Sequence, residues 1–151
     1  MRLSTRGRYG LKAMIDLAVH AGEGPVPLKA VAERQRISEH YLEQLMGSLR
    51  KAGLVVSVRG AQGGYVLGRE AERITAGDII RALEGPIAPV ECVDESGATP
   101  CDRVEQCVTY TVWRKLRDAM VEVLDGLNLA ELAEDARRRV DRATGPPMYY
   151  I

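Results

Sequence analysis

No stretch of the 151 residues approaches the roughly 20 consecutive apolar residues that a helix needs to cross a bilayer. No export-type apolar segment follows the basic start Met1-Arg2-Leu3-Ser4-Thr5-Arg6-Gly7-Arg8. The expectation is a cytoplasmic protein without a membrane partner. Histidine is scarce, with His20 and His40 the only two. The three cysteines contain no Cys-x-x-Cys pair, and neither histidine lies near them in the chain. A small thiol-redox enzyme is therefore a weak reading, because nothing nearby would activate a thiolate. The glycine-rich run Arg59-Gly60-Ala61-Gln62-Gly63-Gly64 lacks the Gly-Lys-Ser/Thr ending of a phosphate-cradling loop, and no helix follows it at once. The chain is read as a non-enzyme. In a reducing compartment a structural disulfide is not expected, which leaves metal binding or redox sensing for the cysteines.

What is present suits one compact domain, or a domain with an appendage: 46% of the residues are hydrophobic and 28% charged. The net charge of zero conceals an asymmetry. Residues 1–69 carry 11 Lys/Arg and 5 Asp/Glu, a difference of +6, and residues 70–151 carry 10 and 16, a difference of −6. A basic half is a natural partner for phosphates, whose neutralisation releases condensed counterions. The plainer alternative is that these charges only solvate a surface.

Apolar residues Leu11, Met14, Ile15, Leu17, Ala18 and Val19 recur at helical spacing, predicting a helix from about Gly7 to Ala21 that Gly22, Gly24 and Pro25 end. A short second helix starts near Pro27, a good first-turn residue. Ser38 is a plausible N-cap for a third helix with Leu42, Leu45, Met46 and Leu49 facing inward, and Gly53 is its stop. The β-branched run Leu54–Val58, the glycine-rich loop and Tyr65-Val66-Leu67 form a hairpin. Helices followed by a hairpin in this order make a winged helix-turn-helix. A fourth helix opens at Thr75, where Asp78 completes a capping-box pattern. Residues 86–107 look irregular and hold Cys92, Cys101 and Cys107. A long helix runs from about Val108 to Leu127, with Val112, Leu116, Met120, Val123 and Leu127 along one stripe. Asn128 and Glu131 then open a last helix reaching about Arg139, and an extended tail begins at Gly145-Pro146-Pro147.

The fold class is thus mainly α: a winged helix-turn-helix DNA-binding domain with a long dimerisation helix. Residues 1–85 form the DNA-binding domain. Residues 86–107 form a cysteine-bearing loop, and residues 108–151 the dimerisation helix, a packing helix and a tail. The apolar stripe of the long helix exceeds what packing beside a small domain requires, and its simplest partner is its own copy. Packing within one chain is the alternative.

Positions left outside the apolar stripe of the third helix are Ser38, Glu39, His40, Glu43, Gln44, Gly47 and Ser48. A helix N-terminus presents free N–H groups and a positive dipole end to a phosphate or the major groove. Gln44 is suited to adenine, and Glu43 to a cytosine amino group. His40 is either a reader or a solvent-facing side chain. Arg59 at the hairpin is placed for a minor groove, and Gly60 lets the loop turn close to DNA. Three thiols within 16 residues are soft ligands for zinc or an iron–sulfur cluster; free redox thiols and inert cysteines are the alternatives.

Residues 1–10, Ser38–Leu45 (SEHYLEQL), Val58–Gly68 (VRGAQGGYVLG) and Ile74–Ile80 resemble the IscR-type family of bacterial winged-helix regulators, over nearly the whole chain. The resemblance implies a homodimer that binds double-stranded DNA through the third helix and the wing. The matching positions are Ser38, Tyr41, Glu43 and Arg59, with Arg2, Ser4 and Gly7 at a phosphate-facing N-terminus. It also implies a 2Fe-2S cluster, control of iron–sulfur biogenesis genes, and the iron–sulfur assembly machinery as a partner. The family's ligand pattern is Cys-x5-Cys-x5-Cys-x2-His. Here it reads Cys92-x8-Cys101-x5-Cys107-x2-Tyr110, so the first gap is longer and Tyr110 stands where the family has histidine. Where the nitric-oxide-sensing branch has an acidic ligand this sequence has Arg8, which argues against that ligand here. The N-terminal half, residues 85–91 and Tyr149-Tyr150-Ile151 also resemble the CymR-like branch. That branch implies a cluster-free repressor of cysteine metabolism gated by a cysteine-synthase-like enzyme.

Overall fold

The structure, a computed structural model, describes residues 3–97 and 101–145. Helix α1 (Thr5–Val19) starts two residues before the expected Gly7, because the Ser4 side chain caps it by accepting from the Gly7 N–H. Its inner face is Ala13, Met14, Leu17 and Ala18. Helix α2 (Leu28–Gln35) follows Pro27, which stands just before the helix rather than in its first turn. Helix α3 (Glu39–Lys51) is capped by Ser38, as its sequence predicts, and buries Leu42, Leu45, Met46 and Leu49. Strands β1 (Val55–Val58) and β2 (Gly64–Leu67) pair antiparallel, with Val55 opposite Leu67 and Val58 opposite Gly64.

The wing is also held to the rest of the domain. Val26 and Tyr65 exchange backbone hydrogen bonds of 2.9 Å in both directions. Gly64 permits this approach, since a Cβ there would lie 2.2 Å from the Val26 carbonyl oxygen. Helix α4 (Ala76–Glu84) has the expected Thr75–Asp78 capping box and lies against α1. Gly7 and Gly10 make that contact close: a Cβ on Gly10 would meet a Leu83 methyl at 2.0 Å.

Residues 86–107 are less irregular than expected, with single 3-10 turns at Glu91–Val93 and Val104–Gln106. Buried Ile87 and Val93 anchor the first part. Helix α5 (Val108–Asp125) ends two residues before Leu127, and buries no residue fully within the chain. Its predicted stripe is partly in solvent: Val112 is 55%, Val123 60% and Leu127 39% exposed, while Leu116 and Met120 are half-buried. Helix α6 (Leu129–Thr144) has the Asn128–Glu131 capping box and runs five residues beyond Arg139. The Asp135–Arg139 ion pair (2.8 Å) supports that extension, and no breaker intervenes before Gly145. Leu129 and Ala133 of α6 join the same core as α1 and α3. The predicted extended tail lies largely outside the described residues. No helix among the described residues is long and apolar enough to cross a membrane.

Candidate nucleic-acid interface and cysteine segment

Burial of every third or fourth residue of α3 leaves the opposite face open. Ser38, Glu39, His40, Glu43 and Gln44 are all exposed there. Ser38 Oγ accepts from the Tyr41 N–H at 3.2 Å and so is engaged in capping. His40 links its neighbours: Gln44 Nε2 donates to its Nε2 at 3.4 Å, and Glu43 lies 3.9 Å from its Nδ1. Tyr41 is half-buried, packed edge-on against Tyr9 at 6.0 Å between centroids. The wing faces this surface. Glu39 and Glu43 share a groove of about 550 Å³ with Ser57, Val58, Arg59 and Gly60. Gly60 has φ +116°, the left-handed region that favours glycine. The structure therefore brings Glu43, Arg59 and Gly60, far apart in sequence, to one groove.

The N-terminus of α1 is arranged differently from the phosphate-facing expectation. The Glu84 carboxylate at the end of α4 sits on it. Glu84 Oε1 accepts from the Ser4 N–H (2.9 Å), the Gly7 N–H (3.2 Å) and the Ser4 hydroxyl. The chain thus supplies its own anion to the free N–H groups of that helix end. Arg2 lies outside the described residues.

Pattern reading passed over three cations on α1. Arg8 and Lys12, one turn apart, lie 6.0 Å and 5.7 Å from the Tyr9 ring centroid, beside Tyr41 of α3. Their i,i+4 spacing was the available signal. Arg6 donates to the Leu83 carbonyl (Nε, 3.2 Å) and to Ser48 Oγ (Nη2, 3.0 Å), joining α4 to α3. No local pattern announces that bridge.

None of the cysteines is in a disulfide. Cys92 is half-buried on the 91–93 turn, Cys101 is exposed, and Cys107 precedes α5. Cys107 Sγ lies 3.1 Å from the Thr109 hydroxyl. That contact, helped by the Tyr110 N–H, lowers the Cys107 thiol pKa from its ordinary value. Tyr110 stands in the first turn of α5, its N–H donating to the Cys107 carbonyl at 3.2 Å. Among the described residues, no three His, Cys, Asp or Glu side chains are gathered as a metal site would require. As a donor set the thiols fit a cluster in softness. With a phenol in place of the imidazole they fall one nitrogen ligand short of the IscR-type pattern.

The chain resembles proteins of known kind. The profile of the Rrf2 family, described as iron-dependent transcriptional regulator, matches residues 3–135. The HTH-type transcriptional regulator CymR of Bacillus subtilis is 54% identical over 133 residues, 88% of this chain and 90% of that protein. Its solved structure, titled as the global cysteine regulator of that organism, superimposes with a TM-score of 0.74 and covers 89% of this chain and 98% of that one. The HTH-type transcriptional regulator IscR of Erwinia tasmaniensis is 45% identical over 135 residues, 89% of this chain and 80% of that protein. The solved structure of T. potens IscR is 49% identical, with a TM-score of 0.75, covering 99% of this chain and 97% of that one.

Proposed function

This chain belongs to the Rrf2 family of transcriptional regulators, and on that premise we propose that it is a dimeric repressor-type regulator whose cysteine segment senses iron–sulfur status. Its mainly helical winged-helix fold and its relatives' names make it a non-enzymatic DNA-binding regulator of the IscR or CymR kind. The observation that carries the DNA reading is the groove in which Glu43 of α3 faces Arg59 and Gly60 of the wing. In this proposal α3 enters the major groove, with Glu43 and Gln44 toward base edges and His40 beside them. Arg59 and Gly60 follow the minor groove or the adjacent backbone. Ser38 and Tyr41 hold the start of α3 against a phosphate, and Arg2 serves the neighbouring backbone, whereas Ser4 is taken by Glu84. The protein works where the DNA is, in the cytoplasm.

The unburied stripe of α5 supports pairing of two copies, so that two recognition helices address two half-sites. Within the proposed division, residues 1–85 read DNA, residues 86–107 carry the switch and residues 108–151 dimerise and pack. When bound, a 2Fe-2S cluster would supply a redox-sensitive and labile tie within the switch, with Cys92, Cys101 and Cys107 as its thiolate ligands. The Thr109 hydroxyl, 3.1 Å from Cys107 Sγ, favours the thiolate form of Cys107. The terminal resemblance to CymR-like repressors supports the second reading, a cluster-free regulator gated by a cysteine-synthase-like enzyme.

Selection of duplexes from a random pool by the purified protein tests the DNA reading. An enriched, two-fold-related motif is expected. Arg59→Ala should weaken binding to every duplex, and a Glu43→Gln change should alter sequence preference more than overall affinity. Equal binding of both variants and the wild type to all sequences would refute the assignment. Anaerobic reconstitution with iron and sulfide counts tests the switch. A chromophore that is absent, or that survives replacement of all three cysteines by alanine, removes the cluster. Co-purification with a cysteine-synthase-like enzyme then distinguishes the second reading.

A further inference from the structure

The cysteine segment is joined to α4 by charge. The Arg81 guanidinium donates to both oxygens of Glu95 (2.9 and 2.6 Å) and to both of Asp125 (2.7 and 2.9 Å). Glu95 lies three residues past Cys92 and also accepts from the Ile87 N–H at 2.9 Å, so one carboxylate closes the loop that holds Cys92. Asp125 is the last residue of α5. Arg81 therefore meets the cysteine segment, the long helix and the DNA-binding domain at once. Doubly bidentate contacts of this kind fix orientation as well as distance.

One helical turn further, α4 ends at Leu83 and Glu84, and there it interlocks with α1. The Glu84 carboxylate takes the free N–H groups at the positive end of α1. In return the Arg6 guanidinium takes the Leu83 carbonyl at the negative end of α4, and its other branch takes Ser48 Oγ on α3. A continuous set of contacts thus runs from the turn bearing Cys92, through Glu95, Arg81, the rigid last turn of α4 and Arg6, to the recognition helix.

We propose that Arg81 and Arg6 are positioning residues that couple the state of the cysteine segment to the placement of α3. This rests on the reading of α3 as the DNA-reading helix. A shift of Glu95 that accompanies chemistry at Cys92 moves Arg81 and so the end of α4. Arg6 carries that displacement to Ser48. Contiguity is not itself coupling, so energetic linkage must be measured. Linkage is reciprocal: if the segment biases DNA binding, DNA binding biases the segment.

The experiment uses the full chain and a duplex that the wild-type protein has selected from a random pool. The rate of Cys92 alkylation by iodoacetamide is followed by peptide mass spectrometry, with and without saturating duplex. In the wild type, DNA is expected to change that rate at least about threefold, within the two- to thirtyfold that residues along such networks command. Arg6→Met, Ser48→Ala and Glu95→Gln, each brought to saturation at higher duplex concentration, should lose the change. Ser48→Ala removes only the far acceptor, so it keeps the test alive if Arg6→Met does not fold. In DNA affinity, the Arg6→Met/Glu95→Gln double variant should be no weaker than its weaker single parent. An unchanged Cys92 rate in the wild type overturns the proposal. So does a DNA-dependent change that survives in Ser48→Ala, or single-variant effects on affinity that multiply. If the pool yields no enriched duplex, the DNA reading itself falls and the coupling with it; an enriched duplex without reciprocity removes the coupling alone.

Discussion

The brace between α1 and α2 tests the physical reasoning most directly. Among the described residues Asp16 is the one charged side chain that is buried, with 3% of its side chain exposed. It accepts from Arg34 Nε (2.9 Å), Arg34 Nη2 (2.6 Å) and Gln35 Nε2 (2.9 Å). The Arg34 side chain is 38% exposed. The two ends of the pair are therefore unequal, and so are the consequences of removing them. Asp16→Asn keeps the shape but sets an amide N–H₂ against a donor. It loses at least one charge-assisted bond and the Coulomb attraction, while Arg34 turns into water. A cost of about 2 kcal/mol follows. Arg34→Met leaves the Asp16 carboxylate in the interior with only Gln35, and a cost of about 3–4 kcal/mol follows. For a chain of this size those figures lower Tm by about 5 °C and about 10 °C. Urea unfolding followed by far-ultraviolet circular dichroism measures both. The decisive result is the order. If Arg34→Met costs less than Asp16→Asn, or if both lie within about 0.5 kcal/mol of wild type, the brace does not hold the helices as described.

Other consequences follow from single features. Val112→Glu or Val123→Glu places a charge in the α5 stripe; on the proposed pairing of two copies, each should shift sedimentation from dimer to monomer with helix content retained, and a wild type that sediments as a monomer would refute that pairing. Gly77→Ala puts a Cβ 2.0 Å from Asp125 Oδ1, so Asp125 must leave Arg81; a loss of about 1–3 kcal/mol is expected by thermal denaturation. The Arg81 guanidinium holds both Glu95 and Asp125 below the usual carboxylate range. Depressed carboxylates stabilise above their unfolded-state pKa and lose that contribution as pH falls through the lowered values. Cys92 alkylation, corrected for thiolate fraction, should therefore quicken on acidification in the wild type. In Glu95→Gln it should be fast throughout; a pH-flat wild-type rate would count against the hub.

Much of the architecture is written locally. Ser38 caps α3, and Thr75–Asp78 and Asn128–Glu131 form capping boxes, because each of these bonds spans three residues and needs no partner from elsewhere. The inward residues of α3 and the glycine-rich turn of the wing are legible for the same reason, since helical periodicity and turn chemistry are properties of neighbours. The exposed α3 residues His40, Glu43 and Gln44 follow by subtraction from the buried stripe, and Arg59 from its place in the hairpin.

Tertiary structure decided which distant groups meet. Ser4 and Gly7 read as a free helix start, yet Glu84, some eighty positions away, occupies it because Gly7 and Gly10 let α4 lie close to α1. No local pattern marks Arg6, Arg81, Glu95 and Asp125 as partners of one another. Only the packing of α4 against α1 and α5 turns them into two bridges, since an ion pair depends on the separation of its members in space and carries no periodic mark in the chain. The cysteines show both limits at once. Their order and second spacing are visible in sequence, whereas the half-buried places of Cys92 on its turn and Cys107 at the start of α5, the exposed place of Cys101 and their unassembled arrangement belong to the fold.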